Sequence, residues 1–327
     1  MDYLAPRWLP GGNLQTIWPA LWARRHEGAV PPYRRERWTT PDGDFIDVDF
    51  VAATGPGPQP LLVLFHGLEG SSRSHYAEAF ATFAAARGWA FAVPHFRGCS
   101  GEINLAPRAY HSGDFEEIGW ILRRLKARHD AAGGGPLLAA GVSLGGNALL
   151  RWAEEAGHTA AQTASAVAAI SAPIDLAAGG EAIGRGFNRL VYTRMFLSTM
   201  KPKALAKLAQ HPGLFDRERL LAARDLYAFD DVFTAPLHGF RDTPDYWQRG
   251  SAKPHLHTIR IPALVVNARN DPFVPAASLP TQAEVGTHVT LWQPAHGGHV
   301  GFALGAPPGH VLGMPERVGG WLLQQLA

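Results

Sequence analysis

The sequence predicts an α/β fold: a doubly wound, mostly parallel sheet with a helical insertion late in the chain. Two observations carry this. Unbroken apolar runs alternate with segments of helical periodicity, and the alternation stops between Gly179 and Pro254 before it resumes. The runs "LLVLFH" (61–66), "AFAVPHF" (90–96), "LLAAGVS" (137–143), "AVAAIS" (166–171) and "ALVVNA" (263–268) read as strands covered on both faces. "FIDVDFV" (45–51) alternates like a half-exposed strand, and "HVTLWQ" (288–293) is placed as the last one. Between them, 74–88, 114–129 and 145–157 are helical. In the second of these Phe115, Ile118, Ile121, Leu122 and Leu125 form an apolar stripe opposite Glu116, Arg123 and Arg124. Strands and helices in this rhythm argue for a parallel sheet. The insertion, carrying "RLVYTRMFLSTMKPKALAKLAQ" and "DRERLLAARDLYAFD", reads as a cap over the carboxyl edge of that sheet. The expected organisation is a core over 1–178, a helical cap over 179–254 and the rest of the core over 255–327.

Composition narrows the function classes. With 46% hydrophobic residues among 327, the chain can bury a substantial core without metal or disulfide. Thirty basic against 28 acidic residues, with no basic run interleaved with aromatics, make nucleic acid an unexpected partner. Cys99 is the single cysteine, which excludes an internal disulfide and fits a reducing compartment. Pro6, Arg7, Pro10 and Pro19 interrupt the apolar N-terminus before a signal peptide or membrane span forms, so a cytoplasmic protein without stable membrane insertion is expected.

The chemistry is signalled by "GVSLG" (141–145), a G-x-S-x-G pattern with a strand before it and a helix after it. Such a turn holds the serine in a strained conformation and exposes its hydroxyl at a helix N-terminus. A serine hydroxyl is a weak nucleophile, so Ser143 needs a histidine base and an orienting carboxylate, in the chain order serine, acid, histidine. Asp271, in "NARNDPFVP" after an apolar strand, is the expected acid. Asp225, Asp230, Asp231, Asp242 and Asp245 lie in the insertion, away from a strand end. "PAHGGHVGF" follows the last strand and offers His296 and His299. His299, deeper in a glycine loop, is preferred, and a His-x-x-His pair on a non-helical loop is a poor metal site. His310 is expected to be structural. The amides of Leu68, in "LFHGLEGSS", and Leu144 are the expected oxyanion donors.

Taken with "NLQTIWP" (13–19), "HGLEGSS" (66–72), "FRGCSGEINLAPRAYHSG" (96–113), "GVSLGGN" (141–147), "FTAPLHGF" (233–240), "NARNDPFVP" (267–275) and "HGGHVGF" (296–302), the chain resembles the α/β-hydrolase fold over nearly its whole length. More narrowly it resembles the YheT-like branch, which includes the ABHD-type lipases and esterases. That resemblance implies a Ser143, Asp271, His299 triad and favours His299 over His296. Two positions depart from the pattern: Asn13 stands where a histidine is expected, and Asn270 where an aspartate would precede the catalytic one.

The expected reaction is a two-step acyl transfer at a small or medium-length ester, a small-molecule or lipid-like substrate, with no cofactor or metal required. A triad-based acyltransferase with an alcohol or thiol acceptor is the alternative, and a catalytically silent binding module a third reading. Arg97, Cys99, Ser100 and Glu102 offer a polar network beside the pocket, but a loop-locking role is expected over chemistry, with Cys99 buried and inert and His111 and Ser112 structural. The stripe Leu190, Val191, Tyr192, Met195, Phe196, Leu197 and Met200 has the apolar surface to line an acyl site but is expected to pack the cap helix, and Arg185, Arg189, Arg194, Lys201, Lys203 and Lys207 are expected to form a solvated basic face rather than one for anionic lipid.

Overall fold

A computed structural model describes residues 3–29 and 32–326. Its centre is an eight-stranded sheet: β1 (Arg34–Thr39), β2 (Phe45–Val51), β3 (Leu61–Phe65), β4 (Ala90–Pro94), β5 (Leu137–Val142), β6 (Ala166–Ile170), β7 (Ala263–Val266) and β8 (Val289–Trp292). The spatial order is β1-β2-β4-β3-β5-β6-β7-β8, with β2 antiparallel to both neighbours and every other pairing parallel. The apolar runs are buried on both faces because successive side chains enter opposite cores. Leu61, Val63 and Phe65 of β3 join one cluster, and Leu62 and Leu64 join the other.

Helix α1 (Gly12–Leu21) lies against the loops that follow β7 and β8, and α2 (His75–Ala86), α3 (Phe115–Ala131) and α4 (Leu144–Ala156) pack on the sheet. The first core cluster takes Ile118, Ile121, Leu122 and Leu125 of α3 with Leu149 and Trp152 of α4, so the predicted stripe is the packing face. The second takes Phe80 and Phe83 of α2 with Val318 and Trp321 of the C-terminal helix Gly313–Gln324.

At the sheet edge the structure adds one strand and corrects one expectation. The strand "RRERWT" carries little apolar signal because it is a charged edge strand, with Trp38 its one fully buried side chain. Its presence changes β2: Asp47 and Asp49 are not half-exposed but each only 3% exposed. The register sets Arg35 opposite Asp49 and Arg37 opposite Asp47, and both pairs are bidentate at 2.7–3.0 Å.

Between β6 and β7 the chain is helical, with α5 (Leu176–Ile183) and the helices Arg194–Gln210, Arg217–Ala222 and Thr243–Gly250. Aspartates start several of these: Asp175, Asp216, Asp225 and Asp242 each accept a backbone N–H three residues on. The insertion holds small clusters of its own, one built on Leu197, Leu220, Phe229 and Phe233 and another on Leu176, Tyr246 and Trp247.

Candidate active site

Ser143 sits at the turn from β5 into α4 with φ 53°, a left-handed conformation unusual for a residue with a side chain. The flanking glycines are dictated by contact. A Cβ on Gly141 would lie 2.4 Å from the carbonyl oxygen of Gly145, and one on Gly145 would lie 2.4 Å from that of His66. The turn is anchored by the Ser143 amide, which donates to the Ile170 carbonyl at 2.8 Å.

The structure brings Ser143, Asp271 and His299 together from the ends of β5 and β7 and the loop after β8. His299 Nε2 is 3.0 Å from Ser143 Oγ, and His299 Nδ1 is 2.9 Å from Asp271 Oδ2. An ionised carboxylate only accepts, so Nδ1 carries the proton and Nε2 is left to accept from the serine hydroxyl. The second oxygen of Asp271 accepts from the amides of Phe273 at 2.7 Å and Val274 at 3.3 Å, and the Phe273 ring lies 4.1 Å from the His299 ring. His296 is exposed, on the outer side of the same loop, with Nδ1 3.4 Å from Asn270 Nδ2. The insertion aspartates are otherwise engaged: Asp225 and Asp242 cap helices, Asp231 pairs with Arg219, and Asp245 lies between Arg241 and Arg249. His310 forms bridges to Arg24 and Leu304.

Leu68 and Leu144 both line the cavity beside Ser143. Among the described residues neither amide has an intramolecular partner, whereas those on either side of Leu68 are fixed. Gly67 N donates to Tyr76 Oη at 2.8 Å and Glu69 N to Tyr110 Oη at 3.0 Å. Glu69 has φ 57°, and its carboxylate accepts from Tyr110 at 2.9 Å and from Lys203 of the cap at 2.8 Å. A residue that bridges cap and loop in a strained conformation holds the Leu68 amide in place.

Several supporting residues carry no catalytic pattern in the sequence. Gln15 and Thr16 of α1 are buried beneath the acid and histidine loops. Gln15 Oε1 accepts from Gly297 N and Asn270 Nδ2, both at 2.9 Å, and Thr16 Oγ1 accepts from His299 N at 2.9 Å. The motif "NLQTIWP" was the available signal, but polar residues in a short helix do not reveal what they hold. The two departures fit this setting. Asn270 donates to Gln15 and accepts from Gly298 N at 3.1 Å, and Asn13 accepts from Tyr192 Oη at 2.9 Å. Asn147 donates to the Ser112 carbonyl at 2.8 Å and the Gly250 carbonyl at 2.7 Å, tying α4 to two loops.

The cavity, about 160 Å³, lies between Ser143, His299 and the cap, and is walled largely by apolar side chains including Leu176, Phe196, Met200, Phe229 and Phe233. The cap stripe is therefore split: Phe196 and Met200 face the cavity, Tyr192 and Leu197 are buried, and Leu190 and Met195 are 65% and 52% exposed. The basic face is split too. Arg185, Arg189 and Arg194 are exposed, but Lys203 pairs with Glu69, and Lys207 is buried, donating to the carbonyls of Asn104 and Ala106. Helical periodicity gives which residues share a face but not that this face meets the core's polar loops.

In the "FRGCSGE" segment the four polar residues do not form one network. Arg97 does not join Glu102; it is buried against Asp42, Asp44 and Glu117, while Glu102 pairs with Arg37. Cys99 is half-buried rather than fully buried, and desolvation pushes its thiol up to about 12. Desolvation likewise drives His66 and His111 down to about 3, leaving both neutral. His66 Nδ1 bonds the Gly67 carbonyl and Nε2 accepts from Phe96 N, a structural arrangement. Ser112 N donates to Tyr246 Oη at 2.9 Å.

A strand–serine–helix turn at the carboxyl edge of this sheet, with a histidine and acid from later loops, defines an α/β hydrolase, and the family model for the alpha/beta hydrolase fold matches residues 60–306. The chain belongs to this family, in its YheT-like branch of esterases and lipases. It is 37% identical to the "Putative esterase YheT" of Escherichia coli (strain K12) over 328 aligned residues, covering 99% of this chain and 94% of that protein. It is 29% identical to the mouse phospholipase ABHD3, covering 90% and 75% of the two chains, and 26% identical to the human monoacylglycerol lipase ABHD2, covering 93% and 75%. Among solved structures, the Pyrococcus furiosus esterase Pf2001 aligns with TM-score 0.57 at 16% identity, over 93% of this chain and 96% of that one, a likeness of fold. Among the described residues no helix is long and apolar enough to cross a membrane.

Proposed function

We propose that the protein is a serine hydrolase that cleaves carboxylic esters of small to medium acyl chain. The observation that carries this is the relay from Ser143 Oγ through His299 to Asp271, at 3.0 and 2.9 Å, on the floor of an apolar cavity. In the first step Ser143 Oγ bonds to the ester carbonyl carbon while its proton passes to His299 Nε2. Asp271 stabilises the resulting imidazolium, and the amides of Leu68 and Leu144 stabilise the developing oxyanion. Collapse breaks the ester C–O bond, and His299 returns the proton to the leaving alcohol. Water, deprotonated by the same histidine, then attacks the acyl-enzyme and releases the acid. The esterase and lipase names of the relatives support water as the second nucleophile.

The apolar walls of the cavity, among them Leu176, Phe196, Met200, Phe229 and Phe233, support an acyl chain as the group that fills it. The test is a p-nitrophenyl ester series from acetyl to palmitoyl, run on the wild type and Ser143→Ala with fluorophosphonate labelling alongside. Turnover should peak at an intermediate chain length and fall by on the order of 10⁴ to 10⁶ in the variant. Near-normal turnover in Ser143→Ala would remove the assignment.

A further inference from the structure

We propose that Asp230 is a specificity residue, accepting a hydrogen bond from a hydroxyl or protonated amine on the non-reacting part of the ester, so that the preferred substrate is a donor-bearing ester rather than a plain alkyl one. This rests on the serine-hydrolase reading of the same cavity. Asp230 lines that cavity together with Ser143 and His299, among the apolar side chains Leu176, Phe229 and Phe233. It opens a π-helical turn, Asp230–Thr234, a local widening of the helix often found at functional sites.

The carboxylate is held but not satisfied. Oδ1 accepts from Thr234 Oγ1 at 2.6 Å and Oδ2 from Trp247 Nε1 at 2.9 Å. Each oxygen has a further lone pair, and two neutral donors leave the negative charge unbalanced. Among the described residues no arginine, lysine or histidine forms an ion pair with it. The other charged groups around the cavity are spent. Lys203 is matched by Glu69 and Arg97 by three carboxylates, while Lys207 donates to Asn104, Ala106 and Gln210. A carboxylate without a countercharge in an apolar wall is costly to bury and favours a ligand that brings the missing donor. Desolvation raises its pKa to about 6, so it remains mostly an acceptor above neutrality.

The test compares kcat/KM, at pH 8, within matched pairs. On the acyl side these are p-nitrophenyl hexanoate and its 6-hydroxy and 6-ammonio analogues, and on the alcohol side propyl and 3-hydroxypropyl butyrate. In the wild type at least one donor-bearing ester should exceed its parent by roughly 10-fold, the worth of one hydrogen bond to a charged group. The hydroxyl and ammonium arms identify the donor. In Asp230→Ala, which removes both acceptor oxygens, that ratio should fall toward one on every arm, and in Asp230→Asn, which keeps a neutral acceptor, it should fall on the ammonium arm. Thr234→Val, which removes a tie to the carboxylate but keeps the charge, should retain the preference. Turnover with no preference in the wild type, or the same preference in Asp230→Ala, overturns the proposal while leaving the hydrolase reading intact. Absence of Ser143-dependent turnover on every ester overturns both.

Discussion

Replacing Gln15 by leucine tests how far the N-terminal helix supports the site. The side chain is 2% exposed and makes three hydrogen bonds: it donates to the Leu9 carbonyl at 2.8 Å and accepts from Gly297 N and Asn270 Nδ2 at 2.9 Å. Leucine has similar bulk but satisfies none of these groups. The buried Gly297 amide and the Leu9 carbonyl each lose a partner, and an orphaned buried polar group costs about 1–3 kcal/mol. The expected destabilisation is therefore about 2–6 kcal/mol, in the upper part of the range for single substitutions. Since Gly297 is two residues from His299, a displaced loop should also lower kcat for ester turnover more than it raises KM. Urea unfolding gives the first quantity and steady-state kinetics on a p-nitrophenyl ester the second. A variant within about 0.5 kcal/mol of the wild type, with unchanged kcat, would refute the claim that Gln15 holds the acid and histidine loops together.

Lys203→Met should free the Glu69 carboxylate and loosen the Leu68 amide, lowering kcat several-fold. The pair is partly exposed, so the accompanying stability change should stay within about 1 kcal/mol. Equal kcat would show that Glu69 is held by Tyr110 alone. Acid stability should depend on the ion pairs of β2 and of the turn before it. Burial by itself would raise the Asp49 carboxyl, but bonds from Arg35, His95 and Ser72 hold it well below the usual range, and Asp42 is lowered to about 2 by Arg97 and Thr40 against the same desolvation. A carboxyl depressed in the folded state stabilises fully above its unfolded pKa of about 4, and that contribution is lost as pH falls toward the folded values. Asp49→Asn should therefore flatten the fall in melting temperature below about pH 4, and an unchanged acid limb would count against the pairing. With its thiol pushed up to about 12, Cys99 should resist iodoacetamide at pH 7.5 in the folded protein and react on unfolding. Rapid alkylation of the native protein, followed by mass spectrometry, would contradict that.

The site was legible where chemistry forces a local pattern. The turn at Ser143 needs glycines on both sides because backbone of the next turn and of β3 comes within contact, so that requirement appears as five consecutive letters. Asp271 and His299 are singled out as candidates by their place after strands and by the resemblance, and the structure sets the pair and Ser143 at hydrogen-bond distance. Asp230 lies in the insertion, away from any strand end, yet it lines the cavity, because the cap folds back over a strand edge far away in sequence. Gln15 and Thr16 carry no local signal of their role for the same reason, since their partners lie about 280 residues downstream.

What the sequence by itself determined were the strands of β3 to β7, the packing face of α3 and the glycine-flanked turn at Ser143, each a matter of periodicity or of a turn's steric demand, while the order of the candidate triad followed from the motif and the resemblance. What only the tertiary structure decided was which charges are paired and which surfaces are shared. Arg97 meets Asp42, Asp44 and Glu117 rather than Glu102, Asp47 and Asp49 are covered by arginines of an edge strand, and Lys203 reaches Glu69 rather than solvent. Apolar burial leaves a repeating signature along the chain. Long polar side chains leave none, because their partners are selected by proximity in the folded state and by the cost of leaving a buried charge unmatched.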